Sequence, residues 1–290
     1  MCLGAVVPTV TAMPADATVK AHLAGMRRMN HRSSTVDQRR RCLARFQRAS
    51  GVAPIDATAA QVEEWLSRPI APETQACELS HLRGFYRWAV AQGLREDDPT
   101  ADIERPITPR RLPRPIATDD LAVALAEAPE RIRPWLHLAA YAGLRAAEIA
   151  QLRADAVHAD AEPPVLVIEE SKGGGMSSVP MHPHLVQVLA ECDLPRSGYL
   201  FRRCDGRPGP NAPWTISHLS NAYLRSLGLR DTLHSLRHWF GTQVYRSSGR
   251  DLRVAQELLR HRSPVSTALY TFVDPGEATG AVSRVPVVGG

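Results

Sequence analysis

Apolar residues along this chain recur mostly at three- and four-residue spacing, the period of a helix with one buried face. Val19, Leu23, Met26 and Met29 set the first run, from about Asp16, and a second helix is expected over residues 34 to 49. Thr58 reads as the cap of a third helix through Leu66. Pro72 with Thr74 opens a fourth, which turns Leu79, Leu82, Phe85, Tyr86 and Ala89 inward and ends at Gly93. Phe85, Tyr86 and Trp88 read as packing rather than as a base-stacking platform. Further on, Thr118 caps a helix to residue 128, an apolar helix over 132 to 141 stops at Gly143, and residues 144 to 148 are helical again. Val165-Leu-Val-Ile168 is the clearest strand, rich in branched residues. A glycine-rich turn sends the chain back through Ser178-Val179-Pro180, which leaves Lys172 at a hairpin tip. From about Leu185 the pattern is mostly helical, apart from a loop over 205 to 213. Leu236, Phe240 and Val244 mark a helix over 235 to 245. The fold class is mostly α with a small β-sheet.

Between the two halves, residues 105 to 115 read RPITPRRLPRP, with four prolines, four arginines and no acid. Proline at that density gives an extended segment, so this is the natural domain boundary. The expected layout is a flexible tail (1 to 15), a helical domain (16 to 104), the basic linker (105 to 115), a second domain (116 to 275) and a C-terminal tail (276 to 290). At 290 residues and 44% hydrophobic content the chain can bury two cores.

Charge changes the picture further. The formal net charge is +5, and Lys20 and Lys172 are the only lysines among 35 Lys and Arg. Arginine binds phosphate through a planar fork, so an arginine-heavy basic chain is a nucleic-acid candidate, although a genome that favours arginine codons would give the same composition. Between Arg27 and Arg48 eight arginines face one acid, Asp37. Arg39 and Arg40 in that run, with Arg110, Arg111 and Arg114 in the linker, are the candidate DNA-binding residues. The five scattered cysteines suit neither a disulfide framework nor a zinc site. With no apolar run of about 20 residues and no basic segment before a leader-like stretch, a cytoplasmic protein without membrane contact is expected.

The candidate chemistry starts from His234-Ser-Leu-Arg237-His238, where His234, Arg237 and His238 stand at i, i+3 and i+4 on one helix face. Two imidazoles flanking a guanidinium suit a site that holds a phosphate and moves protons beside it. Breaking a phosphodiester without metal needs fixed positive charge, an in-line nucleophile and a proton for the leaving oxygen. Arg145 and Arg237 can clamp the non-bridging oxygens, with His234 and His261 donating further hydrogen bonds. Tyr270 can attack, and Lys172 can protonate the leaving 5′ oxygen. A free phenol is a weak nucleophile, so His238 or His234 would accept its proton. The chain has no cluster of closely spaced carboxylates of the kind a two-metal site needs, so neither metal nor cofactor is expected. His182 and His184 flank a proline in a turn and read as structural.

The order of these parts resembles the tyrosine recombinases, the phage-integrase family. The matching segments are Ala142-Gly-Leu-Arg145-Ala-Ala-Glu148-Ile, Lys172, His234-Ser-Leu-Arg237-His238, Glu257-Leu-Leu-Arg-His261 and Thr267-Ala-Leu-Tyr270-Thr. Leu82-Arg-Gly-Phe-Tyr-Arg-Trp88-Ala with Asp98-Pro99 is similar to the end of the family's N-terminal core-binding domain, so the resemblance spans about residues 16 to 275. It implies a helical, SAM-like core-binding domain and an α+β catalytic domain closing as a clamp on duplex DNA. It also implies a covalent 3′-phosphotyrosine, four protomers on paired DNA sites exchanging strands through a Holliday junction, and room for an accessory directionality factor. Glu148 is similar to the residue that supports the first arginine. Three departures stand out: Arg260 where the family usually has glycine, no second basic residue after Lys172, and only 20 residues after Tyr270. The short lead before the first helix leaves no place for an additional arm-type DNA-binding domain.

Two other functions compete. A type IB topoisomerase would relax plasmids without site preference, and a non-catalytic DNA-binding protein would lack one of the six parts.

Overall fold

In the computed structural model the described residues are 14–109, 114–169, 175–203, 205–261 and Thr267. The chain forms two compact units, residues 1–110 and 111–290.

The first unit is helical: α1 (Ala15–Arg28), α2 (Ser33–Ser50), α3 (Ala59–Leu66) and α4 (Pro72–Ala91), with a 3-10 turn at Pro54–Asp56. Thr58 caps α3 as expected, its hydroxyl accepting the Gln61 amide at 3.3 Å while the Gln61 side chain accepts the Thr58 amide at 2.9 Å. At α4 the cap is Ala71 with Pro72 in the first turn, so Thr74 has no capping role. The apolar stripes of α2, α3 and α4 meet in a core of Leu43, Phe46, Trp65, Leu82, Phe85 and Tyr86. Phe85 and Tyr86 are fully buried and Trp88 packs beside His22, so the aromatic run is indeed packing. One carboxylate is carried into this core. Glu78 is 5% exposed and takes Arg45 at 2.8 Å and Arg68 at 2.6 Å, and a charge so buried persists only when paired.

The second unit holds α5 (Thr118–Ala126), α6 (Arg133–Tyr141), α7 (Ala146–Gln151), α8 (Pro183–Glu191), α9 (Pro213–Ser226), α10 (Leu233–Ser247) and α11 (Leu252–Leu258). Its sheet is antiparallel in the order β1-β2-β3: β1 (Val157–His158), β2 (Val165–Glu169) and β3 (Met176–Pro180). Leu166 pairs with Val179, and these residues with Ile168 turn into the core. Two residues are too few to show alternation, so β1 left no signal in the sequence. Two boundaries also move. Ala117, not Thr118, is the cap of α5; Thr118 is the first helical residue and its hydroxyl accepts the Trp239 indole N–H at 3.1 Å. Leu144 and Arg145 precede α7 instead of forming its first turn. Among the described residues no helix is long and apolar enough to cross a membrane.

Candidate active site

Thr232 and Ser235 start α10 by exchanging hydrogen bonds, each hydroxyl accepting the other's amide. The helical period then sends Leu236 and Phe240 into apolar cores and carries Arg237 with them. Arg237 is only 1% exposed. A guanidinium that deep needs acceptors, and it finds the backbone carbonyls of Gly143 and, at 2.5 Å, Leu259. It thereby ties the end of α6 to the end of α11.

The turn that offers the first carbonyl can only be glycine. Gly143 has φ +59°, and a Cβ there would lie 2.4 Å from the Phe240 ring. The chain then enters α7 with Arg145 as its cap. Glu148, one turn on, accepts the Arg145 amide at 2.8 Å through Oε2 and the Arg145 guanidinium at 2.7 Å through Oε1. Arg145 is held from behind while its side chain stays 38% exposed.

Glu148 also receives two more guanidinium groups. Arg260 donates to its Oε2 at 2.8 Å, and Arg237 stands 3.7 Å from the same oxygen. Burial alone would raise the carboxyl pKa. The charge and hydrogen bond of Arg260, the charge of Arg237 and the Arg145 amide overcome it and hold Glu148 at about 2.

Three imidazoles complete the cluster. His234 and His238 sit edge to face, ring centroids 4.4 Å apart. The His261 Nδ1 and the Thr267 hydroxyl share a hydrogen bond of 3.0 Å, and Thr267 is fully buried. Burial first, then the charges of Arg237 and Arg145 among others, pushes His261 down to about 3. Burial and then His234 and Arg237 push His238 to about 4. His234 keeps solvent-exposed surface, yet crowding around its ring and then Arg237 and Arg145 lower it in the same direction. At neutral pH all three are uncharged, and each ring offers one N–H and one lone pair.

The sequence profile of the phage integrase family matches residues 116–277, more than half of the chain. The chain is 31% identical over 300 residues to the tyrosine recombinase XerC of Xanthomonas campestris pv. campestris (strain B100), covering 92% of this chain and 88% of that protein. The chain belongs to the phage integrase family. It is a tyrosine recombinase, an enzyme of site-specific DNA recombination. The XerC of Erythrobacter litoralis is 33% identical over 235 residues, 74% of this chain and 73% of that one. In fold the recombinase is similar to a lambda integrase dimer bound to a COC′ core site, with TM-score 0.68, 19% identity, and coverage of 88% of this chain and 94% of that one.

The recombinase thus brings together Arg145, Glu148, His234, Arg237, His238 and His261 from three stretches of its second unit. Lys172, Tyr270, Arg110 and Arg111 lie outside the described residues. Arg114 is exposed, and Arg40 is exposed with Asp37 at 3.4 Å. Arg39 differs from the surface residue expected. It is half-buried, its guanidinium stands 3.2 Å from the His22 ring nitrogen, and it occupies the space where a Cβ on Gly84 would fall. There it joins three arginines the sequence did not single out, Arg83, Arg87 and Arg105, along a groove of about 350 Å³ with Ser80 and Gly84. The four-residue step from Arg83 to Arg87 was the available signal. His182 is structural, its ring accepting the His184 amide at 3.1 Å to cap α8.

The histidines make stability depend on pH with a definite sign. Their folded pKa lies below the ordinary 6.5, so between the two values the unfolded chain binds more protons. Their contribution is complete above about pH 6.5 and is lost as pH falls toward about 4 and 3. The thermal midpoint of the DNA-free protein should therefore decrease between about pH 6.5 and 5.5, above the range in which most carboxylates protonate. A midpoint that stays flat across that interval would show that these rings are not held neutral by the fold.

Proposed function

We propose that the recombinase cuts duplex DNA by attack of the Tyr270 phenol oxygen on a phosphorus atom. His238 or His234 takes the phenol proton, the bond to the 5′ oxygen breaks, Lys172 gives that oxygen its proton, and a 3′-phosphotyrosine holds the strand end. The freed 5′ hydroxyl of a partner duplex then reverses the step and releases the phenol. Bond energy is conserved in the covalent link, so no nucleotide cofactor is needed.

The observation that carries this reading is the convergence of three guanidinium groups on a single carboxylate, Glu148, with three neutral imidazoles alongside. The cluster carries net positive charge with its donors already oriented, which suits the charge that spreads over a phosphoryl group in the transition state. Arg145, the exposed member, would contact a non-bridging oxygen. Arg237 would supply charge from behind, a different role from the open two-arginine clamp expected from the sequence. Two facts support delivery of the remaining groups. Tyr270 follows Thr267, bonded to His261, by three residues, a reach of at most about 11 Å. Glu169 and Met176, where the hairpin bearing Lys172 leaves and returns, line the same cavity of about 390 Å³ as Glu148.

Duplex DNA is the partner, bound through phosphates along the first unit's arginine groove and through Arg40, Arg110, Arg111 and Arg114. A tetramer on paired sites is the working assembly, as in the lambda integrase tetramer bound to a Holliday junction, and a directionality factor fits the same scheme.

A suicide duplex carrying the protein's own flanking DNA, nicked so that the cleaved end diffuses away, tests the proposal. Wild-type protein in EDTA should accumulate a covalent adduct, and Tyr270→Phe should give none while keeping its DNA affinity within about threefold, since the phenol is not a phosphate-neutralising group. An adduct formed by Tyr270→Phe would transfer the nucleophile to another residue. Plasmid relaxation without site preference would favour the topoisomerase reading.

A further inference from the structure

Arg260 belongs to the site's machinery although no recognised pattern assigns it a role. It stands at φ +53°, a left-handed conformation that costs any residue with a Cβ and that glycine adopts freely. The strain turns the side chain inward. Its guanidinium is 3% exposed and makes three contacts: Glu148 Oε2 at 2.8 Å, the Gly143 carbonyl at 3.0 Å and the Leu258 carbonyl at 2.7 Å. The first two acceptors are the ones that also face Arg237. Burying a third guanidinium beside Arg145 and Arg237 adds like-charge repulsion that a purely structural contact would have no reason to accept. What Arg260 gains in return is control of Glu148. With Oε2 held by Arg260 and by the Arg145 amide, Oε1 is left for the Arg145 guanidinium alone.

We infer that Arg260 is a positioning residue for strand cleavage: it fixes the Glu148 carboxylate and the Gly143 turn so that the exposed Arg145 guanidinium stays aimed at the scissile phosphate. The inference rests on the reading of Arg145 given above. Arg260 itself does not touch DNA, so its effect belongs to the chemical step and not to binding.

Arg260→Gly separates the guanidinium from the backbone, because glycine keeps the left-handed turn without strain and the fold with it. Three quantities are measured on the full chain with a suicide duplex: the single-turnover cleavage rate at saturating protein, the DNA dissociation constant and the thermal midpoint. The cleavage rate should fall about tenfold or more, the size of effect seen when a partner that orients a functional side chain is removed, with affinity within about threefold. In a Glu148→Gln background the same substitution should change cleavage less than about twofold, because the two residues act as one unit. Arg260→Lys, which keeps a charge near Glu148, should recover part of the rate. Unchanged cleavage in Arg260→Gly, equal loss of cleavage and affinity, or a full additional loss in the Glu148→Gln background would each overturn the role. Arg145→Ala, run alongside, keeps the two levels apart. If it cleaves normally, the reading of the site fails; if it is dead while Arg260→Gly is normal, only the role of Arg260 fails.

Discussion

Arg145→Ala should slow single-turnover cleavage by about a hundred- to a thousandfold, the usual cost of removing one preorganised donor from a developing oxyanion. DNA affinity should change by less than about tenfold, since one phosphate contact among many is lost. The fold should tolerate the change. The Arg145 side chain is 38% exposed, and the amide of residue 145 still caps α7 through Glu148, while Glu148 keeps Arg260 and Arg237 as counter-charges. Cleavage on a suicide duplex and binding by fluorescence anisotropy separate the two effects. A loss of affinity that matches the loss of cleavage would make Arg145 a DNA-holding residue only.

Arg237→Ala should behave differently. Arg237 is 1% exposed, and its guanidinium bonds the carbonyls of Gly143 and Leu259 while standing 3.7 Å from Glu148. Its removal strands the buried Leu259 carbonyl, leaves the Gly143 carbonyl to Arg260 alone and opens a cavity between α6 and α11, and breaking buried charged contacts of this kind costs about 3–5 kcal/mol. A domain of ordinary stability loses a large part of its margin to a change of that size. The expected result is a drop in thermal midpoint of several degrees together with loss of cleavage. Arg237→Lys, which restores the charge with fewer donors, should regain part of the midpoint. A midpoint unchanged in Arg237→Ala would mean that this side chain does not anchor the turn at Gly143.

The contrast between these arginines is what the sequence could not show. Spacing placed His234, Arg237 and His238 on one face of α10, and they do meet. Spacing does not report depth, and Arg237 goes inward because its acceptors, carbonyls 94 and 22 residues away, exist only after folding. The Glu148 contact to Arg145 was legible because both lie within one helical turn. Its contact to Arg260 was not, since that pair is 112 residues apart and rests on a left-handed backbone at an arginine, which local preference argues against. The helices of the first unit were legible from their apolar stripes, and the cap at Thr58 from its Gln61 partner. The fate of Arg39 was hidden for a converse reason. It lies in a run of arginines that reads as solvated, and only the bare backbone at Gly84 on a neighbouring helix gives its guanidinium a place to lie.

In the proposed cleavage step the exposed Arg145 guanidinium, set by Glu148, neutralises a scissile phosphate. A duplex in which one non-bridging oxygen of that phosphate is replaced by methyl carries no charge there and has no need of the guanidinium. On that substrate Arg145→Ala should recover most of the cleavage it loses on the natural phosphodiester, measured as single-turnover release of the 5′-hydroxyl strand. If the neutral substrate leaves Arg145→Ala as impaired as before while wild-type protein still cleaves it, the guanidinium does not serve the phosphate and the claim is wrong.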